Sequence, residues 1–285
     1  MIMTDNRDFL HFTDIQVSKD ASKFFKKGHV KIFSKNSGKM IFEGIHYPQN
    51  KVNEGDNKVI LPGSILAARK FFPKLVPNIV TPSYNEALGL DGIMSLTTTE
   101  EINSSVCLFA LGNDGCGVEN SQVYDVNYTK WISPNNLVPF KYQPSNNDLT
   151  ATQRKLYHGR KNMNDTNRIA YFFKAFDNEP TMHIQYIDGT SMDENVYNTD
   201  ITMGGEVYVE MNMSIEPTDC REFAKQTTGL NSANINSISL LTAYPKELNG
   251  YTYYQSIRPL TKYNFPTEPL IDEEKGFDIV YDLYF

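Results

Sequence analysis

The chain has 285 residues, of which 40% are hydrophobic, and its formal net charge is −7. This length can bury a sizeable core, in one large domain or two smaller ones. The negative charge argues against general attraction to nucleic acid, because phosphate binding needs clustered positive charge. No apolar run reaches the roughly 20 residues of a membrane helix, and the N-terminus lacks the apolar core of a signal peptide. We therefore expect a soluble protein made in a cytoplasm, without a membrane partner.

The first part of the chain predicts an arm followed by a hairpin. Residues 1–27 are polar with scattered apolar positions, which is typical of an N-terminal arm. Two apolar alternations then follow, one around Ile32 and one around Phe42. The short loop between them contains Asn and Gly, which tolerate the positive φ of a tight turn. This pattern predicts a β-hairpin at the start of the body.

The next segment predicts a helix, a long loop and a buried strand. The helix is expected over residues 65–72, because Ser64 can accept a hydrogen bond as its N-cap and Pro73 ends it. Residues 73–105 are rich in Pro and Thr, which predicts an exposed, irregular loop. The continuous apolar run at 106–111 then predicts a central strand that is buried on both faces.

Period-two alternation predicts that the second half of the chain is mostly strand. It is clearest from Glu206 to Ile215, where every odd position is apolar. The same alternation over 277–285 predicts a last strand that pairs with a sheet of its own chain or of a neighbour. Further strands are predicted by similar runs at 169–176, 181–187, 234–243 and 251–257.

A second short helix is predicted between the alternating segments. It is expected to start near Glu216-Pro217-Thr218-Asp219, since Pro and early acidic residues suit a helix N-terminus. Gly229 is a natural C-terminal stop.

No group of residues is typical of a catalytic, metal or cofactor site. The three cysteines form no CxxC pair, and no two of the five histidines stand at HxH or HxxxH spacing. The glycine-dense loop at 111–117 lacks the Lys and Ser/Thr of a P-loop, and the acidic loop at 188–194 lacks EF-hand spacing. We expect reduced thiols, two tight turns, no cofactor and no enzymatic activity.

The strongest basic segment is a candidate binding surface. It consists of Arg154, Lys155, Arg160, Lys161 and Arg168. The segment predicts a contact either with DNA phosphate or with an acidic surface of a neighbouring subunit, and the plain alternative is a solvated loop face. We favour the protein partner, because the net charge opposes general affinity for DNA.

The C-terminal tail has the opposite sign and is the predicted subunit contact. The residues expected to make this contact are Glu273, Glu274, Asp278, Phe277, Ile279, Tyr281 and Phe285. Opposite-sign patches on one chain suit head-to-tail contacts between identical subunits.

Part of the chain is similar in general sequence character to a known class of protein. The similarity lies in four blocks, at residues 57–72, 108–115, 138–142 and 157–160. In these blocks the chain resembles virion structural proteins of tailed double-stranded DNA bacteriophages. The resemblance implies a neck ring, tail adaptor or capsid auxiliary protein. It also implies identical subunits and portal, tail or capsid proteins as partners, and a place in the virion after assembly in the host cytoplasm.

Together these patterns predict a β-rich α+β fold. An antiparallel sheet, sandwich or barrel body is expected to carry two short helices and extended arms. The divisions are an N-terminal arm at 1–27, a body at 28–265 with its long loop at 73–105, and a C-terminal strand or arm at 266–285. The predicted function is a structural subunit of a homo-oligomeric ring or lattice at the head–tail connector, tail or capsid. The alternative is a non-catalytic carbohydrate- or receptor-binding β module, for which Tyr251, Tyr253 and Tyr254 are the candidate aromatic patch.

Overall fold

The computed structural model describes residues 27–46, 58–59, 83–97, 99–100, 103–119, 122–125, 131–186, 191–193, 205–229, 233–269 and 276–284. Over this part the chain forms two large antiparallel sheets, which pack face to face as a sandwich. The predicted β-rich α+β fold is therefore confirmed, in its sandwich form. The predicted helix at 65–72 lies outside the described residues, and so does the predicted arm at 1–27 except for Lys27, which begins the first strand.

One sheet has six strands. They are β1 (Lys27–Ser34), β2 (Met40–His46), β11 (Thr181–Tyr186), β12 (Ser191–Asp193), β13 (Gly205–Ile215) and β17 (Phe277–Tyr284). Their order across the sheet is β12–β11–β13–β17–β1–β2, and every neighbouring pair is antiparallel. The predicted hairpin at the start of the body is the pair β1 and β2.

The other sheet has nine strands. They are β3 (Lys58–Val59), β4 (Ser105–Gly112), β7 (Leu137–Val138), β8 (Lys141–Pro144), β9 (Tyr157–Met163), β10 (Arg168–Ala175), β14 (Asn234–Leu248), β15 (Tyr251–Pro259) and β16 (Thr261–Pro269). Its main path runs β3–β16–β14–β4–β10–β8, while β15, β7 and β9 pair with β14, β4 and β10 respectively. A separate two-stranded ribbon is formed by β5 (Cys116–Glu119) and β6 (Gln122–Asp125).

The C-terminal strand is an interior strand of its own chain. β17 lies between β13 and β1 and pairs with both along its whole length. Its odd residues Phe277, Ile279 and Tyr281 are buried, as alternation predicts, while Asp278 on the opposite face is exposed. The boundary that the sequence suggested at 265 falls inside β16, and the chain beyond it returns to the centre of a sheet.

The sandwich has two hydrophobic cores. The main core lies between the sheets and joins residues such as Val30 and Met213 of the six-stranded sheet to Phe109 and Leu240 of the nine-stranded sheet. The second core covers the other face of the nine-stranded sheet, where Leu108 and Ala110 of β4 take part. Strand β4 is thus buried on both faces through most of its length, as its continuous apolar run predicts.

The second core corrects the prediction of an irregular loop at 73–105. This segment contains helix α1 (Tyr84–Leu88), whose Tyr84 is fully buried. Ser83 caps its N-terminus, and Gly89 ends it with a positive φ of 61°. A five-residue helix is too short to show apolar periodicity, so the sequence does not reveal that this segment packs against the body. The Tyr84 hydroxyl donates to the Ile132 carbonyl at 2.7 Å, which ties the helix to the body.

The second predicted helix starts later than expected. Helix α2 (Arg221–Thr228) ends at Gly229 as predicted, but the Pro217–Asp219 stretch precedes it. Cys220, the residue before the helix, is buried with a positive φ of 61°. Asp219 lies before the first turn of the helix, and its carboxylate is buried in an ion pair with Lys174.

Candidate functional site

A cleft opens between α1 with its following loop, strand β9 and strand β15. The space between its walls is about 460 Å³, a volume that includes open solvent at its mouth. Its aromatic and polar lining includes Asn85, Asp91, Arg154, His158, Arg160, Tyr251, Tyr253 and Tyr254. The structure thus brings two arginines of the predicted basic segment together with all three tyrosines of the predicted aromatic patch.

Asp148, directly behind the lining, holds both arginines in place. Its Oδ2 accepts from Arg154 Nη2 at 2.7 Å and from Arg160 Nε at 3.1 Å. Its Oδ1 accepts from the Tyr171 hydroxyl at 2.7 Å. Burial alone would raise the pKa of Asp148, but the hydrogen bonds from Tyr171 and from the Leu149 amide, together with Arg160, lower it. The carboxylate is therefore ionised and fixes the two guanidinium groups.

The loop after α1 is attached to the same cluster. Arg160 donates through Nη1 to the Asp91 carboxylate, and the Asp91 amide donates to the Arg160 carbonyl at 2.7 Å. Gln255 of β15 closes the other side, since its Nε2 donates to the Gly92 carbonyl at 2.9 Å and its Oε1 accepts from the Met94 amide at 2.8 Å. Both walls of the cleft are therefore held by hydrogen bonds.

Aromatic contacts complete the lining. The Arg154 guanidinium lies 4.5 Å from the ring centre of Tyr251. The rings of His158 and Tyr254 meet edge to face at 4.5 Å. Burial lowers the pKa of His158 to about 4, although its hydrogen bond to the Lys155 carbonyl acts in the other direction. Burial also raises the pKa of Tyr254 to about 12. At neutral pH both groups are uncharged.

The predicted basic segment is divided by the fold. Arg154 and Arg160 are neutralised within the chain, and Arg168 lies over the Tyr142 ring at 5.3 Å. Lys155 is exposed and Lys161 half-buried, and the described ion pairs include neither of them. A contact with DNA or with an acidic neighbour stays a prediction; among the described residues, no ion pair involves Lys155, Lys161 or Arg168.

The predicted subunit-contact residues are also divided. Phe277, Ile279 and Tyr281 pack in the main core, so their side chains do not form an outer surface of this chain. Asp278 is exposed and lies 3.6 Å from Lys35 Nζ. The remaining predicted residues, Glu273, Glu274 and Phe285, lie outside the described residues. Their contact with a neighbour stays a prediction.

A buried charge cluster joins the two sheets and was not found from the sequence. Lys174 of β10 donates to Asp219 Oδ2 at 3.0 Å and to the Ser214 carbonyl of β13 at 2.6 Å. The other carboxylate oxygen of Asp219 accepts from the Tyr157 hydroxyl at 2.9 Å and from Lys141 Nζ at 2.6 Å. A usable signal was present: Lys174 interrupts an otherwise apolar run, and a lysine in such a run needs a partner.

A second buried pair lies in the glycine-dense loop. Lys262 Nζ donates to Asp114 Oδ1 at 2.9 Å, and the Lys262 side chain is fully buried. The Ser237 hydroxyl donates to the same oxygen at 3.3 Å. The loop is therefore a turn that positions one carboxylate against β16, which gives a structural reason for its sequence.

The remaining chemistry is limited in the part of the chain that the structure describes. Those residues contain no group of three or more His, Cys, Asp or Glu that could hold a metal ion. Cys220 is a buried free thiol and Cys107 a half-buried one. Burial raises the pKa of Cys107 to about 12, which disfavours the thiolate that a nucleophile needs.

Comparison with known proteins gives no relative. No protein-family model, curated protein or solved structure matches the chain. The helices among the described residues are too short or too polar to span a lipid bilayer.

Proposed function

We propose that this chain is an architectural, non-catalytic subunit of a tailed bacteriophage particle, where identical copies form a ring or lattice. Its partners would be identical subunits and the portal, tail or capsid proteins next to them. The observation that carries the proposal is the apolar outer edge of the six-stranded sheet.

Strand β2 forms this edge and exposes two consecutive large apolar side chains. Met40 is 44% exposed and Ile41 40% exposed. Ile32 and Phe33 of β1 face Phe42 and Met40 respectively, so Ile41 is the extra residue of a β-bulge. Among the described residues, β2 pairs with β1 alone. Open edges of monomeric proteins usually carry charge or proline at such positions, because an apolar edge recruits another strand.

The opposite edge of the same sheet gives a route to a ring. Strand β12 lies there and, in the described part of the chain, pairs only with β11. If β2 of one copy docks at the β12 edge of the next, the contact is head-to-tail and uses two different surfaces. Repeated head-to-tail contacts close into a ring when the rotation between subunits allows it. This arrangement would add main-chain hydrogen bonds between subunits to the apolar contact of Ile41.

The proposal is tested by placing a charge on the edge. Ile41→Lys should abolish assembly in sedimentation velocity, because the new charge would be buried between subunits, while the unfolding transition stays near that of the wild type. The matched control is Ile93→Lys, since Ile93 is 50% exposed on the loop after α1, which Gln255 holds to β15 of the nine-stranded sheet. Ile93→Lys should assemble normally. If Ile41→Lys assembles like the wild type, the edge is not the subunit contact.

A further inference from the structure

We propose that the cleft between α1, β9 and β15 binds a neutral saccharide. The tyrosine rings would contact the C–H face of a sugar ring, and the arginine and aspartate groups would bind its hydroxyls. This binding site goes beyond the architectural role and does not depend on it.

The charges in the cleft favour a neutral ligand. Arg154 and Arg160 are both bonded to Asp148, and Arg160 is also bonded to Asp91, so two cations are matched by two anions. A phosphate or carboxylate would have to share the two guanidinium groups with Asp148, and the negative charges of Asp148 and Asp91 would repel it. A hydroxyl does not meet this obstacle, because it both donates and accepts. It can donate to a carboxylate and accept from a guanidinium N–H that remains available.

The aromatic side chains suit the other face of a sugar. Tyr251 is 38% exposed at the rim, and Tyr253 and Tyr254 are half-buried beside it. A tyrosine presents an apolar ring and a polar hydroxyl, which matches a ring of C–H groups edged by hydroxyls. Concave sites with mostly aromatic walls and a few fixed polar groups are the usual form of a small-molecule site.

The cleft is already organised without a ligand. Asn85 donates from Nδ2 to the Tyr254 carbonyl at 2.9 Å and accepts at Oδ1 from the Ile257 amide at 2.7 Å. The Tyr253 ring packs on Gly92, where a Cβ would lie 2.2 Å from the ring. Because the walls are fixed by these contacts, binding would cost little ordering of the protein.

Saturation-transfer NMR and calorimetry with named probes test the proposal. The neutral probes are glucose, galactose and N-acetylglucosamine with their short oligomers, and the anionic probes are inorganic phosphate and an oligothymidylate. We expect saturation transfer to at least one neutral series, none to the oligothymidylate, and no heat of binding with inorganic phosphate in calorimetry. Binding of the anions alone, or no transfer to any neutral probe at millimolar concentration, would overturn the proposal.

Variants of the tyrosines locate the binding. Tyr251→Ala and Tyr253→Ala should each weaken the binding at least tenfold, and Tyr251→Phe should weaken it less, because it keeps the ring. The matched control is Tyr244→Ala on β14, because Tyr244 is half-buried and lies outside the cleft lining. An equal loss in Tyr244→Ala would place the binding elsewhere.

Tyr251 lies at the rim, so its variants should keep the wild-type unfolding midpoint and remain a valid test if Tyr253→Ala fails to fold. The test is made on the assembled protein and on Ile41→Lys, so that a failure of assembly and a failure of sugar binding are distinguished.

Discussion

Lys174 Nζ lies 3.0 Å from Asp219 Oδ2, and both side chains are completely shielded from solvent. Lys174 belongs to the nine-stranded sheet, and Asp219 lies in the segment that follows β13 of the six-stranded sheet, so the pair joins the two. Lys174 also donates to the carbonyl of Ser214 in β13 itself. Asp219 has a second cation in Lys141, whereas the described ion pairs give Lys174 no other carboxylate. The two partners are therefore not equivalent.

This asymmetry predicts that Asp219→Asn and Lys174→Met reduce the free energy of unfolding by different amounts. Asp219→Asn leaves Lys174 buried without its counter-charge, and we expect a loss of about 3–5 kcal/mol in the free energy of unfolding. Lys174→Met keeps Asp219 paired with Lys141 and fills a similar volume, so the loss should be clearly smaller. Urea unfolding of both variants gives the comparison. A larger loss in Lys174→Met would mean that Lys141 does not compensate Asp219.

Gly159 of β9 should tolerate no side chain. Its φ is +67°, and a Cβ there would lie 2.3 Å from the buried ring of Phe173. Gly159→Ala should cost about 2–4 kcal/mol, as the sum of left-handed backbone strain and overpacking. The control is Gly250→Ala, where φ is +76° but no atom lies within 4 Å. It should cost only the strain, about 1 kcal/mol. Equal losses in thermal unfolding would exclude the clash.

His158 should make the protein less stable on acidification. Burial lowers its pKa from 6.5 to about 4. Below pH 6.5 the unfolded chain therefore takes up a proton that the folded chain does not accept until about pH 4. Its contribution is complete above pH 6.5 and is lost as the pH falls to 4, by up to about 3 kcal/mol. His158→Gln should lose less stability than the wild type between pH 7 and pH 4.5 in urea unfolding. Parallel pH profiles would show that His158 is not buried in its neutral form.

The two faces of β17 should respond differently to truncation. Ile279→Ala creates a cavity in the main core and should cost about 2–5 kcal/mol. Asp278→Ala, its neighbour on the exposed face, loses a surface ion pair with Lys35 and a 3.3 Å hydrogen bond from the Ser214 hydroxyl, and should cost less than about 1 kcal/mol. Denaturant unfolding of the two variants measures the difference. Similar costs would contradict the placement of this strand inside the sheet.

Local patterns predicted the strands well, because alternation depends only on neighbouring residues. The apolar odd positions of β17 and those of β13 from Val209 to Ile215 face the main core, and the run at 106–111 is a strand buried on both faces. The alternation could not choose the partner of β17, since pairing depends on strands that are distant in the chain. The structure places it between β13 and β1.

The sequence allowed some residues of the cleft to be predicted, but not the contacts that hold them together. The three tyrosines of the cleft stand close together in the sequence and were recognised as an aromatic patch. The basic segment was also evident from Arg154 and Arg160. The sequence did not show that Asp148 and Asp91 neutralise these two arginines. Arg160 meets Asp148 twelve positions away and Asp91 sixty-nine positions away. Such distant partners are set by the packing of α1 and β9, which the sequence of the basic segment does not contain.

The mass of the wild-type protein in solution tests the central claim most directly. Multi-angle light scattering over a range of concentrations should give one oligomeric species. Its mass should be a fixed integer multiple, greater than one, of the chain mass. This is what an architectural subunit with two complementary sheet edges should form. A single monomeric species at all concentrations would contradict the account and leave the saccharide-binding cleft as the basis of function.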